Sequence, residues 1–151
     1  MEDLERFGVE PFDEEVEPEN IFVFVNPRQF QTIVGYNFLL TDRLQRLAFD
    51  AIVSEPDILL QAVVSDIGPE NVSNEKVLQG LDDIGELQTG ISMVAKTKGI
   101  ALQVEALIFR RGIIGAYIMS STFPGRKPTI TIKELGRILD ERMLTHPALS
   151  P

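Results

Sequence analysis

Residues 87–123, LQTGISMVAKTKGIALQVEALIFRRGIIGAYIMSSTF, decide the fold. Ile91, Met93 and Ala95 interleave with Ser92, Val94 and Lys96, a period of two. Successive side chains leave a strand on opposite faces, so this alternation marks a half-buried strand. Lys96-Thr-Lys-Gly99 interrupts it as a turn. Leu102, Val104, Ala106 and Ile108 then alternate with Gln103, Glu105, Leu107 and Phe109 until Arg110-Arg-Gly112 turns the chain again. The third run, 113–123, is apolar on both faces and belongs in the middle of a sheet, covered on both sides. Three strands joined by two short turns form an antiparallel meander. Its first strand, 91–95, is expected at an exposed edge.

Upstream of the meander, Val77, Leu78 and Leu81 give residues 75–84 the look of a short helix closed by Gly85, preceded by a loop over 69–74. Further back, Thr41 and Asp42 suit a helix start. Leu44, Leu47, Ala48, Ala51 and Ile52 follow at the spacing of one stripe, expected to face the core. Ser54-Glu-Pro-Asp57 repeats the start signal, Leu59, Ala62, Val63 and Ile67 mark an inward face, and Gly68-Pro69 stops the helix. Residues 21–25 and 30–40 read as N-terminal strands. Downstream, Thr131-Ile-Lys-Glu134 is a capping box. The C-terminal helix it opens should bury Ile132, Leu135, Leu139 and Met143 and turn Lys133, Glu134, Arg137, Asp140 and Glu141 to water.

The fold class is therefore α+β. One domain over residues 21–144 carries an antiparallel sheet, the C-terminal three-strand meander plus the N-terminal strands, packed by a C-terminal helix and a 42–67 helix pair. Residues 1–20 form an acidic leader, read as flexible, and 145–151 a tail.

Composition narrows the function. The chain of 151 residues has a net charge of −9 and no cysteine. Thiol nucleophiles, disulfides, Cys-ligated zinc and iron–sulfur clusters are excluded. The lone His146 excludes a multi-histidine metal site. Nine acidic residues against Arg6 give the first twenty residues a charge of −8, so 14 acidic and 13 basic residues leave the body at −1. A nearly neutral body without a basic stripe cannot release counterions from a phosphate backbone, which argues against nucleic acid. No stretch has the roughly 20 apolar residues of a membrane span, and the acidic N-terminus does not read as a signal peptide. A place outside the cytoplasm is expected if the chain has been trimmed.

No constellation reaches a catalytic claim, and no metal or cofactor site is expected. Asp82, Asp83 and Glu86 are the densest acidic cluster of the body but lack a calcium-loop pattern, and read as a solvated helix end. Arg110 and Arg111 read as turn-solubilising charges, with Arg126 and Lys127 at the opposite end of the third strand. Glu105 is unusual in mid-strand. A pocket is conceivable with Gln103 and Glu105 as polar members and Leu107, Phe109 and Tyr117 as walls.

Leu81-Asp-Asp-Ile-Gly85, Val104-Glu-Ala-Leu-Ile-Phe-Arg-Arg-Gly112, Ile113-Ile-Gly-Ala-Tyr117 and Leu135-Gly-Arg-Ile-Leu-Asp-Glu-Arg-Met143 together resemble PsbP-like α+β proteins. They are also similar to bacterial exported or lipoprotein-type domains. The resemblance spans residues 81–143 and rests on architecture. It implies a curved antiparallel sheet backed by helices, a non-enzymatic accessory or binding role, and frequently an extracytoplasmic place. The expectation, resting mainly on the absence of catalytic chemistry, is an accessory module that binds a protein partner or a small apolar ligand through the sheet's outer face near Leu107, Phe109 and Tyr117. The alternatives are a hydrolase or isomerase pairing Glu105 with Asp82, Asp83 or Glu86, and a self-associating protein, a homodimer through an edge strand.

Overall fold

The computed structural model describes residues 20–26, 30–128 and 130–145, with β1 known by its backbone and Val25 alone. Nearly all of the acidic leader, and the tail with His146, lie outside the described residues. Six strands form one antiparallel sheet: β1 (Asn20–Asn26), β2 (Gln31–Leu39), β3 (Val72–Val77), β4 (Leu87–Thr97), β5 (Ile100–Arg111) and β6 (Ile114–Thr122). Their spatial order is β1-β2-β6-β5-β4-β3. Among the described residues the helices are α1 (Arg43–Val53), α2 (Pro56–Ile67) and α3 (Ile132–Leu144), with a short 3-10 turn at Pro69–Asn71.

The meander forms as its alternation requires. Thr97 pairs with Ile100 across Lys98 and Gly99, whose φ angles of 51° and 79° are both left-handed. That combination defines the tight turn matching the twist of a hairpin. Arg111 pairs with Ile114 across a second two-residue turn, where Gly112 supplies the single positive φ, 58°. β6 lies between β2 and β5 and is buried at all nine positions, in keeping with its two apolar faces.

The two sheet faces carry separate cores. On one face Tyr36, Phe38, Ile91, Met93, Ala106, Ile108, Tyr117 and Met119 meet Phe49 and Val53 of α1 and Leu59 of α2. On the other, Ile33, Leu107, Phe109, Ala116 and Ile118 meet Ile132, Leu139 and Met143 of α3, with Leu81 and Ile84 of the loop before β4. The result is three layers, with α1 and α2 on one side and α3 on the other. Gly136 lets α3 approach the sheet closely: a Cβ there would stand 2.5 Å from Leu107 Cδ2. The capping box at Thr131 is formed, Thr131 Oγ1 accepting from Glu134 N and Glu134 Oε2 from Thr131 N, each at 3.1 Å.

Six expectations from sequence are corrected. Residues 75–84 are not helical. β3 runs to Val77 and pairs with β4, so 91–95 lies in the sheet interior and the described edges are β1 and β3. Leu78 and Leu81, spaced as on a helix, instead close over Gly90, and the strand hydrogen bonding continues as Leu78 N donates to Gly90 O. The unpaired backbone of β4 outweighed a weak helical pattern.

The cap of α1 is Asp42, not Thr41, its carboxylate accepting from Leu44 N and Gln45 N. Ser54 closes α1, while Glu55 stands at the cap position of α2 without a side-chain bond. Asp140, expected in water, is buried, and Ile138 is exposed in its place. Finally, the Leu44 stripe points outward, because Phe49 and Val53 occupy the inward face.

Candidate functional site

The residues nominated from sequence divide between the faces of the sheet. Odd-numbered positions of β5 face α3, so Gln103, Glu105, Leu107 and Phe109 share one surface. Tyr117 belongs to the opposite core, its ring 5.5 Å from that of Tyr36, with burial pushing its hydroxyl pKa upward. Leu107 and Phe109 are 0% exposed. Leu107, Phe109 and Tyr117 are therefore packing residues and form no common outer wall. Alternation alone placed each residue on its strand but could not place Tyr117 relative to β5, because pairing register assigns the faces.

A polar strip remains around Glu105. Its direct cross-strand neighbours are Ser92 on β4 and Ser120 on β6, both buried. Gln103 Nε2 donates to Ser92 Oγ at 2.8 Å and to the Met93 carbonyl at 3.2 Å. Gln31 Nε2 donates to Ser120 Oγ at 3.0 Å and to the Ile130 carbonyl at 2.9 Å. Among the described residues the Glu105 carboxylate takes no hydrogen bond. Desolvation raises its pKa, and the charges of Lys76 and Lys133 oppose that rise. Gln31 had no signal in the sequence, being 89 residues from the serine it holds.

Two members of the acidic cluster, Asp83 and Glu86, are engaged elsewhere. Asp83 pairs with Arg137 of α3 at 2.6 Å, a bond that lowers its pKa. Glu86 accepts from Arg110 Nη1 at 3.2 Å and from Gly112 N at 2.9 Å. Arg110 lies five residues from Glu105 along β5, roughly 16 Å of strand. Glu86 and Glu105 thus sit too far apart for paired-carboxylate chemistry, which needs less than about 10 Å. Among the described residues no three His, Asp or Glu side chains are grouped to hold a metal, and no helix is long and apolar enough to cross a membrane.

Arg110 and Arg111 are structural clamps, correcting their reading as turn charges. Arg110 bonds Asp50 of α1 through Nε at 2.5 Å and Nη2 at 2.8 Å. Arg111 bonds Asp140 of α3 through Nε at 2.6 Å and Nη2 at 2.9 Å, and Asp140 also accepts from Gly85 N. Both pairs are bidentate, the geometry a guanidinium offers a carboxylate.

Asp50 also helps fix how α1 is turned. With Asp50 drawn to Arg110, and Phe49 and Val53 in the core, the opposite face is left to solvent. That face carries Leu44, Leu47, Ala48 and Ala51, with Leu44 75% and Leu47 54% exposed. Ile58 on the first turn of α2 is also exposed, 46%. α1 is thus apolar on two sides, and the leucine stripe that its spacing alone would turn to the core is the outer one. Compared with known protein families and with curated protein sequences, the chain matches none.

Proposed function

We propose that the chain is a non-enzymatic accessory module that acts by docking on a protein through the outer face of α1. The observation that carries this reading is the outward stripe of Leu44, Leu47, Ala48 and Ala51 on a helix whose other side is already buried. Isolated exposed leucines are ordinary, but a row of apolar residues on one helix face is the geometry of helix-mediated recognition. The resemblance of residues 81–143 to PsbP-like proteins supports the same class of role, since it implies a helix-backed antiparallel sheet in an accessory protein. A photo-crosslinking residue at position 47, introduced in the cell that makes the protein, tests it. A discrete protein adduct from position 47, absent from the exposed turn position 98, is expected. No adduct at 47, or the same adducts from both positions, would overturn the reading.

A second reading, binding of a small ligand at Gln103 and Glu105, draws support from the half-buried Glu105 carboxylate that no described residue bonds. A thermal-shift screen of small ammonium and amide compounds checks it. A stabilising compound should lose its effect on Glu105→Ala; an unchanged response in that variant refutes the site.

A further inference from the structure

We infer that the partner fitted by the α1 face is a second copy of the chain, the two α1 helices packing antiparallel about a two-fold axis near Leu47 and Ala48. This rests on the docking reading above and names its occupant. Side-chain size is the first argument. In an antiparallel pair centred there, Leu44 lies over the partner's Ala51 and Leu47 over the partner's Ala48, and the same contacts recur with the roles reversed. A two-fold interface must be complementary to itself, and a stripe with leucines towards one end and alanines towards the other meets that condition. The alanines also let the helix axes come close, while each leucine fills the space opposite.

Charge selects the antiparallel direction. Arg43 is exposed at the first position of α1, where the helix dipole favours an anion, and it makes no ion pair among the described residues. Glu55 and Asp57 are exposed just beyond the other end of the helix. Antiparallel packing carries Arg43 towards the partner's Glu55, twice per dimer. Parallel packing would set Arg43 beside the partner's Arg43 and acidic residues beside acidic ones. The position that α1's own electrostatics disfavour is thus the one a second copy satisfies.

Sedimentation velocity of the full chain, from about 1 to about 200 μM, tests the inference. The expected result is a concentration-dependent monomer–dimer equilibrium. Leu47→Glu sets two carboxylates beside the axis and should leave only monomer, with an unchanged circular dichroism spectrum because the side chain is exposed. Arg43→Glu should weaken the dimer by about fivefold or more, as expected for an exposed pair made twice. Adding Glu55→Arg should restore it to within about twofold. Monomer at every concentration, or a charge swap that restores nothing, overturns the dimer. If the wild-type chain stays monomeric while position 47 still crosslinks to a different protein, the docking reading stands and this inference fails. If neither occurs, both fail.

Discussion

Arg110 and Arg111 are neighbours in β5 and point to opposite faces of the sheet, so one dipeptide grips both helical layers: Arg110 holds Asp50 of α1 and Arg111 holds Asp140 of α3. The strand alternation that separates the two hydrophobic cores separates these two clamps as well. They are unequal. Asp140 is 5% exposed, whereas Asp50 is partly solvated and Arg110 has Glu86 as a second partner.

That inequality predicts the order of two substitutions. Arg111→Ala leaves a buried carboxylate with only the Gly85 N–H as its described bond, and should cost about 2–4 kcal/mol. Arg110→Ala leaves Asp50 able to turn towards water, and should cost about 1–2 kcal/mol. Urea denaturation of both variants checks the order. Equal losses would mean that burial of the acid does not set the cost.

Acid should loosen the α3 layer first. Desolvation pushes the Asp140 pKa up, but the bonds from Arg111 and Gly85 outweigh it and hold the folded-state value below the ordinary 3.8. A depressed folded pKa means the unfolded chain binds the proton more readily. The stabilisation is present above the ordinary value and is lost as pH falls through the folded one. Asp140→Asn should therefore lower stability at neutral pH and flatten the dependence between about pH 5 and pH 2. A variant with an unaltered acid limb would refute the assignment.

Glu105 carries the opposite sign. Desolvation raises its folded pKa, so its contribution is favourable at low pH and becomes a cost as pH rises through the folded value. Glu105→Gln removes the charge and keeps the size. Melting at neutral pH should rise by about 1–3 °C, and the gain should shrink as the wild-type carboxyl protonates. A fall in melting temperature at neutral pH would show that Lys76 and Lys133 hold the carboxylate more tightly than desolvation penalises it.

Much of this architecture is legible in the residues, and the misreadings share a cause. The alternation in 87–123 assigns three strands and both turns because each residue there reports a local choice between two faces. The face of α1 is not a local choice. Its sequence contains two apolar stripes, and the one that packs is fixed by Phe49 and Val53 in the core and by an arginine 60 residues away. Residues 72–77 became a strand because β4 needed a partner, a requirement invisible in their own composition. The candidate site fails to be legible for the same reason: Ser92, Ser120 and Gln31 reach Glu105's neighbourhood through register. Tyr117, three residues past the start of β6, goes to the other core by that same register.

Gly136 offers the sharpest test of how α3 is seated. Replacing glycine by alanine inside a helix ordinarily gains up to about 1 kcal/mol. Here the new Cβ would stand 2.5 Å from Leu107 Cδ2 and 3.1 Å from Ile84 Cδ1, in a core where Leu107 and Ile84 have no exposed surface. Overpacking of that kind costs about 1–3 kcal/mol, so the clash outweighs the propensity and Gly136→Ala should destabilise. Leu107→Ala alone should also destabilise, by opening a cavity of the kind that costs about 2–5 kcal/mol. Combined, the two should lose clearly less than the sum of the single changes, because the shortened side chain vacates the space that the added methyl needs. Strict additivity in denaturant titrations would place α3 farther from β5 than this packing requires.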